Sequence, residues 1–342
     1  MKQIKASLIG CGRMGQVHAQ VLKELGINVT SLADKFKPST DFIIENWFRQ
    51  NPPASYTNLN ELLANEEPDL LVIATTADGH ADHAIDGIKA GIPLVFSEKP
   101  ITNSLKQCLH LKNICQEQGT RLAVNHQMRY LPQYQIPKKL VNSESYGGLK
   151  SMHISAGNFG LAMNGTHYLE AFRYLSGENI VEVSAWFDAQ SLPNPRGAQF
   201  NDVSGCLRAT TSSGRRLYID SSIDQGHGVQ VTYMGRNGRI TIDELTGTMT
   251  TIVRQPEHRE APTSRYGMPV AIEEEKIKPV ELVDSTKAVL EALVKGGDYP
   301  TLHDGTLAVK TLIAAYHSHR NGGIPVKIAD IPDNDPEIFP WA

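Results

Sequence analysis

The 342-residue sequence contains no basic block, no long apolar run and few cysteines. Its formal net charge is −4, which argues against binding to nucleic acid or to an anionic membrane surface. No stretch approaches the roughly 18 apolar residues of a membrane span, and the apolar patch after Lys5 is too short for a signal peptide. The four cysteines, Cys11, Cys108, Cys115 and Cys206, form no C-x-x-C pair, so we expect reduced thiols in a cytoplasmic protein.

The N-terminal region predicts one strand, one tight turn and one helix. The apolar run 4–9 is followed at once by Gly10, Gly12 and Gly15, in a G-x-G-x-x-G pattern that opens the helical stretch 16–25. In such a unit the first glycine permits the turn, the second lets the backbone approach a pyrophosphate, and the third lets the helix pack on the strand. The motif predicts a dinucleotide site. A glycine-rich loop without a ligand is the alternative, so the assignment depends on an acidic residue further along.

Asp34 provides that acidic residue. It ends the apolar run 29–33 and follows Gly15 by 19 residues, close to the spacing of about 20 at which a carboxylate binds the adenosine ribose hydroxyls. Because a carboxylate there repels a 2′-phosphate, the sequence favours NAD over NADP. Lys35, Lys37 and Arg13 lie close in sequence and are able to neutralise such a phosphate, so NADP stays open as an alternative.

Strand and helix patterns alternate over the first part of the chain. Apolar runs at 70–74, 93–96 and 121–124 predict buried strands, and helices are predicted at 41–50, 59–65, 81–90 and 104–118. This alternation predicts an α/β fold with a doubly wound parallel sheet in a first domain, residues 1–123. The polar loop from Thr75 and Thr76 to His80 follows a strand, at the position where such sheets bind ligands.

From about residue 125 the pattern changes. A helix is predicted at 164–175 and two more at 282–294 and 306–318; strands are predicted at 181–187, 203–211, 215–223, 229–234, 239–242 and 249–253. The segments 212–214 and 236–238 are hairpin turn signals. The pattern predicts a second, α+β domain, residues 124–342, with a large open, mostly antiparallel sheet and a proline-rich coil from residue 331.

The sequence Glu98-Lys99-Pro100 places a lysine in the ligand crevice, just after a predicted strand. The proline restricts Lys99 to extended backbone geometry, and burial would ease deprotonation of its ammonium. A lysine beside a nicotinamide can exchange a proton with a carbinol oxygen while hydride moves to or from the ring. An ordinary surface lysine is the alternative.

A second candidate group is formed by Asn164, His167 and Glu170, which are spaced three apart and would share one face of a helix. Histidine is the side chain best suited to proton transfer near neutral pH, although a purely structural histidine is the alternative. His80 and His83 lack the further ligand spacing of a zinc site, so no metal is predicted.

Together these motifs resemble the Gfo/Idh/MocA family of oxidoreductases. The resemblance rests on the glycine motif, Asp34, the threonine loop ending at His80, Glu98-Lys99-Pro100, the segment 164–170 and the late sequence Gly-Gly-Ile-Pro-Val at 322–326. It implies an N-terminal Rossmann domain and a C-terminal domain whose open sheet forms a homodimer or homotetramer. It also implies NAD(P)-dependent oxidation or reduction of a sugar, sugar derivative or cyclitol.

The resemblance implies site residues as well. Lys99 and His167 are expected to flank the reacting carbon, and Arg129, Asn164 and Tyr168 are expected to contact substrate together with them. The residues expected to line the cofactor are Gly10, Gly12, Arg13, Met14, Gly15, Asp34, Lys35, Thr75, Thr76, His80, Glu98, Lys99 and Asn125.

The resemblance breaks at Met163, where many family members carry an aspartate four residues before the histidine. Without that carboxylate, His167 acts either as a full acid/base or only as a hydrogen-bond donor to the substrate hydroxyl. Two other functions stay open. One is a nucleotide-binding regulator with the same fold and no chemistry; the other is a lyase or glycosidase that uses bound NAD for a transient oxidation.

Overall fold

Six parallel strands form the first sheet in the computed structural model, which describes residues 3–157, 159–190, 193–262, 267–278 and 280–341. They lie side by side in an order that reverses between the first and the fourth, where open α/β sheets bind ligands beyond the strand ends. The predicted doubly wound parallel sheet is confirmed. In chain order the strands are β1 (Lys5–Ile9), β2 (Asn28–Ala33), β3 (Ala54–Tyr56), β4 (Leu70–Ile73), β5 (Leu94–Ser97) and β6 (Arg121–Val124), and in space they run β3-β2-β1-β4-β5-β6.

Helices pack on both faces of this sheet. All four residues of β4 are buried, as expected of a parallel strand that is covered on both sides. The helix predicted at 41–50 begins earlier and continues into a π-helical turn, Ile44–Phe48. The helices are α1 (Arg13–Glu24), α2 (Lys37–Ile43), α3 (Leu59–Asn65), α4 (Ala77–Lys89) and α5 (Leu105–Gln118).

Nine strands within the described residues form the second sheet. Neighbouring strands are antiparallel except for one parallel pair near the middle, so the predicted large, mostly antiparallel sheet is confirmed. The strands are β7 (Leu149–Gly157), β8 (Ile180–Phe187), β9 (Gly205–Thr211), β10 (Arg216–Ser222), β11 (Gln230–Gly235), β12 (Gly238–Asp243), β13 (Thr248–Arg254), β14 (Val270–Lys276) and β15 (Val326–Lys327), in the order β14-β13-β12-β11-β7-β10-β9-β8-β15.

Three strands of this sheet, β7, β14 and β15, are absent from the predicted set. In β7 the buried residues Leu149, Met152 and Ile154 are separated by polar ones, so the strand lacks the continuous apolar run that marks the first sheet. In β14 the run Glu273–Glu275 is exposed. Charge of this kind on an edge strand prevents pairing with other sheet edges. It also removes the apolar pattern by which the strand could have been predicted from the sequence.

The second part of the chain contributes α6 (Pro132–Val141), α7 (Thr166–Ser176), α8 (Leu282–Lys295) and α9 (Leu302–Arg320). Helices α6, α7 and α9 pack on the second sheet. Helix α8 packs instead on the first sheet, where Val289, Leu290 and Leu293 share a core with Leu8 and Phe96. The chain therefore returns to the first sheet after the second one, within the predicted second domain of residues 124–342.

The C-terminal segment lies as coil, as predicted, and connects the two domains. The backbone N–H of Phe339 donates to the Asn103 carbonyl at 3.0 Å, and the indole N–H of Trp341 donates to the Tyr316 hydroxyl at 3.1 Å. All four cysteines are free. Among the described residues, no helix combines the length and the apolar character needed to cross a membrane.

Candidate active site

The glycine turn follows β1 and opens α1. Gly10 has a φ of +87°, and a Cβ there would lie 2.5 Å from the carbonyl carbon of Ala74. A Cβ on Gly15 would lie 2.0 Å from the Gly10 carbonyl oxygen, so helix and strand pack in direct backbone contact. A Cβ on Gly12 would meet nothing within 4 Å. In the part of the chain that the structure describes, no side chain caps α1, so the first N–H groups and the space beside Gly12 fit a pyrophosphate.

Asp34 directly follows β2 and is fixed through both carboxylate oxygens. Oδ2 accepts a hydrogen bond from the backbone N–H of Cys11 at 2.7 Å, and Oδ1 accepts one from the N–H of Phe36 at 2.8 Å. The carboxylate is thereby tied to the glycine turn, where it could hold ribose hydroxyls. Lys35 is exposed, whereas the ammonium of Lys37 pairs with Asp41 at 2.6 Å.

The loop after β4 contains Thr75 and Thr76, and α4 begins before His80, so this buried histidine lies in the first turn of the helix and not in the predicted loop. The Nδ1 atom of His80 lies 2.7 Å from the carbonyl oxygen of Pro100, and its Nε2 atom lies 3.1 Å from that of Thr75. Burial lowers the pKa of His80. Both ring nitrogens thus contact backbone, and the imidazole joins the loop after β4 to the loop after β5.

Glu98 lies buried directly after β5. Its Oε1 atom accepts hydrogen bonds from His18 Nε2 at 2.9 Å and from Asn125 Nδ2 at 2.8 Å. Burial acts to raise the pKa of Glu98, but the hydrogen bond from His18 and nearby positive charge lower it to about 2. His18, one turn beyond Gly15 on α1, is a site residue that sequence reasoning missed. The one feature of the sequence that could have indicated it is its position in the helical turn after the glycine motif.

Lys99 projects into the space between the two domains. Its peptide bond to Pro100 is cis, and its ammonium donates a hydrogen bond to the backbone carbonyl of Met163. Burial lowers the pKa of Lys99; the Glu98 and Asp202 carboxylates oppose this shift, and nearby arginines add to it. A lysine with a depressed pKa, held at a strand end in the ligand crevice, is suited to proton transfer.

His167 lies in the first turn of α7, where its ring meets that of His126 edge-on. The ring centroids are 5.5 Å apart and the planes are 89° apart. Burial, Lys99 and His126 keep the pKa of His167 well below its usual value, and burial and Lys99 lower that of His126 to about 3. Both imidazoles are therefore neutral near neutral pH. Sequence reasoning did not find His126.

The side chains of the other predicted substrate residues, Arg129, Asn164 and Tyr168, bond to other protein groups. Arg129 forms a buried ion pair with Glu170, and the Tyr168 hydroxyl donates to half-buried Glu244 at 3.1 Å. Asn164 precedes α7 in a π-helical turn, Leu161–Gly165, and its amide donates to the Phe159 carbonyl. The expected single face of Asn164, His167 and Glu170 is therefore divided: the amide and the carboxylate bind protein groups.

The loop between β8 and β9 adds two charged residues that sequence reasoning missed. The carboxylate of Asp202 accepts hydrogen bonds from the backbone N–H groups of Ala162 and Met163 at 2.8 and 2.7 Å. Burial raises the pKa of Asp202 to about 6. Exposed Arg196, together with Arg13 of the glycine turn, lies near enough to Lys99 to lower its pKa. Neither Asp202 nor Arg196 belongs to a contiguous motif, so the sequence offered no signal for them.

Two sequence profiles identify the family. The profile described as oxidoreductase family, NAD-binding Rossmann fold, matches residues 4–126, and the family's C-terminal alpha/beta domain matches residues 154–328. The chain belongs to the Gfo/Idh/MocA oxidoreductase family, as the resemblance implied. Its first domain is the family's Rossmann domain and its cofactor is NAD.

Known proteins resemble the chain over nearly its whole length. The scyllo-inositol 2-dehydrogenase (NAD(+)) of Bacillus subtilis (strain 168) is 24% identical over 95% of this chain and 96% of its own. An oxidoreductase from Agrobacterium radiobacter, solved with NAD+, L-tartaric acid and magnesium, has a TM-score of 0.78 at 18% identity and covers 96% of this chain and 99% of its own. The scyllo-inositol dehydrogenase of Lactobacillus casei, solved with NAD(H) and scyllo-inositol, has a TM-score of 0.73 at 15% identity and covers 96% and 100%. The fold is shared throughout.

Proposed function

We propose that this protein transfers hydride between NAD and a secondary alcohol or ketone of a cyclitol, sugar or sugar derivative. The observation that carries the proposal is Lys99, an ammonium with a depressed pKa at the end of β5, close to neutral His167 across the crevice. The nicotinamide, when bound, accepts or gives the hydride. The inositol dehydrogenases among the similar proteins support a cyclitol as the first substrate class to test.

In this proposal Lys99 exchanges the proton of the reacting oxygen. Burial makes its ammonium a stronger acid than an exposed lysine, which brings proton release closer to neutral pH. His167 is neutral, so its imidazole orients the substrate hydroxyl through a hydrogen bond and adds no positive charge. We assign Asn164 a secondary contact with substrate, because its amide already donates to a backbone carbonyl.

The proposed cofactor side is the carboxyl edge of the first sheet. Residues 1–123 hold the cofactor, and residues 124–342 bind substrate and other subunits. The glycine turn binds the pyrophosphate and Asp34 binds the adenosine ribose, where its anchored carboxylate disfavours a 2′-phosphate. The same edge includes the remaining predicted contacts: Arg13, Met14, Lys35, Thr75, Thr76, His80, Glu98 and Asn125.

We also propose that the second sheet pairs with a second copy of the chain in a homodimer or homotetramer in the cytoplasm. Residues of β9 and β10 alternate between buried and more exposed, so helices cover only one face of these strands. On the other face the ring centroids of half-buried His153 and Tyr218 lie 4.5 Å apart, and aromatic side chains of this kind are enriched at protein interfaces. A monomer in light scattering would contradict this assignment.

The test of the proposed function is Lys99→Met, with exposed Lys106→Met on α5 as the matched control. NADH absorbance is followed with a panel of inositols and sugars, and NADH affinity is measured by calorimetry. Lys99→Met should lower turnover by about 10²- to 10⁴-fold, the usual scale for a positioned proton-transfer group, with NADH affinity nearly unchanged. Lys106→Met should behave as the wild type. Unchanged turnover in Lys99→Met would end the assignment, and NADH binding without turnover of any panel member would refute the substrate class.

A further inference from the structure

Asp202 connects the second sheet to the segment that leads into His167. It lies just before β9, and its two carboxylate oxygens accept hydrogen bonds from consecutive backbone N–H groups, those of Ala162 at 2.8 Å and Met163 at 2.7 Å. Both N–H groups belong to the π-helical turn Leu161–Gly165. The carboxylate therefore fixes the start of this turn as a capping residue fixes a helix.

The carboxylate is closely enclosed. Asp202 is only 8% exposed, and a Cβ on Gly160 would lie 2.2 Å from its Oδ2 atom. Gly160 also has a φ of +73°, which other residues rarely adopt. The backbone at residue 160 is thus shaped around the carboxylate, and a replacement of Asp202 without an acceptor would leave buried N–H groups unpaired.

The same turn holds Lys99. The ammonium of Lys99 donates to the carbonyl of Met163, while the N–H of Met163 donates to Asp202. One residue therefore connects the lysine and the carboxylate through its two backbone groups. The hydrogen bond from Lys99 is accepted by the backbone carbonyl of Met163 and not by its apolar side chain, so the position of this backbone decides where the ammonium is held. The charged and titratable groups that face Lys99 are Arg13, His80, Glu98, His126, His167, Arg196 and Asp202.

We propose that Asp202 is a positioning residue for Lys99: it holds the Met163 carbonyl against the ammonium and adds a negative charge beside it. The inference rests on the proposed function of Lys99. Asp202 touches neither cofactor nor substrate in this role; it acts through Met163. The role explains why a carboxylate from the loop before β9 is buried against the turn that contacts Lys99.

The test is Asp202→Asn, which keeps the side-chain shape and one carbonyl oxygen while removing the charge. Turnover should fall about tenfold, because the ammonium is less well placed, and NADH affinity should stay unchanged. The limb of the pH–turnover profile that reports Lys99 should move to lower pH by about 0.5 to 1 unit, because a carboxylate near an ammonium raises its pKa. The direction is the same whether Lys99 serves as acid or as base.

Asp188→Asn is the control, because Asp188 is a half-buried carboxylate of the same loop that binds Ser204 and Ser222. It should leave both readouts unchanged. Asp202→Ser is a second uncharged variant, so that either one suffices if the other misfolds. A wild-type pH limb in an uncharged variant, with Lys99→Met inactive, overturns the role of Asp202 alone. An active Lys99→Met overturns the proposed function beneath it.

Discussion

The cofactor side of the crevice is built from contiguous backbone, whereas the substrate side is assembled from distant segments. Gly10, Gly12 and Gly15 act through the space that a missing side chain leaves. On the other side, Lys99 meets Met163, which in turn depends on Asp202 from a loop 39 residues later in the chain. The comparison teaches that the first side is specified by local sequence, while the second is specified by packing between domains.

The largest expected effect tests the cofactor side through two matched glycine variants. Gly15→Ala should lower the free energy of unfolding by about 3 kcal/mol, because its Cβ would meet the Gly10 carbonyl oxygen at 2.0 Å, and NADH binding should be lost with the turn. Gly12→Ala should change stability by no more than about 1 kcal/mol but still weaken NADH binding, because its Cβ occupies the phosphate space. Urea unfolding and calorimetric titration measure both. Wild-type NADH affinity in Gly12→Ala would show that the phosphates lie elsewhere.

Most elements of the fold could be predicted from the sequence because their signals are local. The helix at 59–65 has the predicted bounds, since Asn58 caps it and a polar turn ends it. Strand β7 could not be predicted, because its pairing with β10 and β11 compensates for a weak hydrophobic pattern. Likewise, periodicity shows that α8 has an apolar face but not which of the two sheets it covers.

The candidate site shows the same limit. Asp34 and Lys99 each follow a predicted strand, so their place at the carboxyl edge of the sheet followed from topology. His18, His126 and Asp202 become site residues only through contacts that link separate segments of the chain. A single sequence contains no spacing rule for such contacts.

The next prediction tests whether Arg129 belongs to the substrate side or to the scaffold. Arg129 pairs with Glu170, and both are buried, so Arg129→Met should lower the free energy of unfolding by about 3 kcal/mol by leaving a buried carboxylate uncompensated. The exposed pair of Arg236 and Glu260 provides the control: Arg236→Met should cost no more than about 1 kcal/mol. A stable Arg129→Met protein with a raised KM would show that Arg129 contacts substrate and does not mainly stabilise the fold.

Glu98 lies on the cofactor side but is held by distant residues, so its pH dependence sharpens the comparison. Its pKa of about 2 lies below the ordinary 4.5, so the ionised carboxylate stabilises the fold above about pH 4.5, and this stability is lost as the pH falls towards 2. The stability gap between the wild type and Glu98→Gln should be about 3 kcal/mol at pH 7 and should shrink at pH 3. Urea unfolding at both pH values measures it, with the exposed Glu117→Gln as the control for surface charge. A gap that is equal at both pH values would contradict the role assigned to the buried carboxylate.

The smallest expected effect concerns Tyr168, which the family resemblance assigned to substrate. Its hydroxyl and that of Tyr134 both donate to the half-buried carboxylate of Glu244. Tyr168→Phe should therefore lower the free energy of unfolding by about 1.5 to 2 kcal/mol, the lower part of the range for a hydrogen bond to a charged group, and leave KM unchanged. Tyr134→Phe is the matched control, because it removes the other donor from the same carboxylate, and its effect should be similar. If Tyr168→Phe instead raised KM tenfold at wild-type stability, the hydroxyl would contact substrate and would not serve mainly to stabilise the fold through Glu244. The substrate side would then be specified by local sequence to a larger extent than the comparison above states.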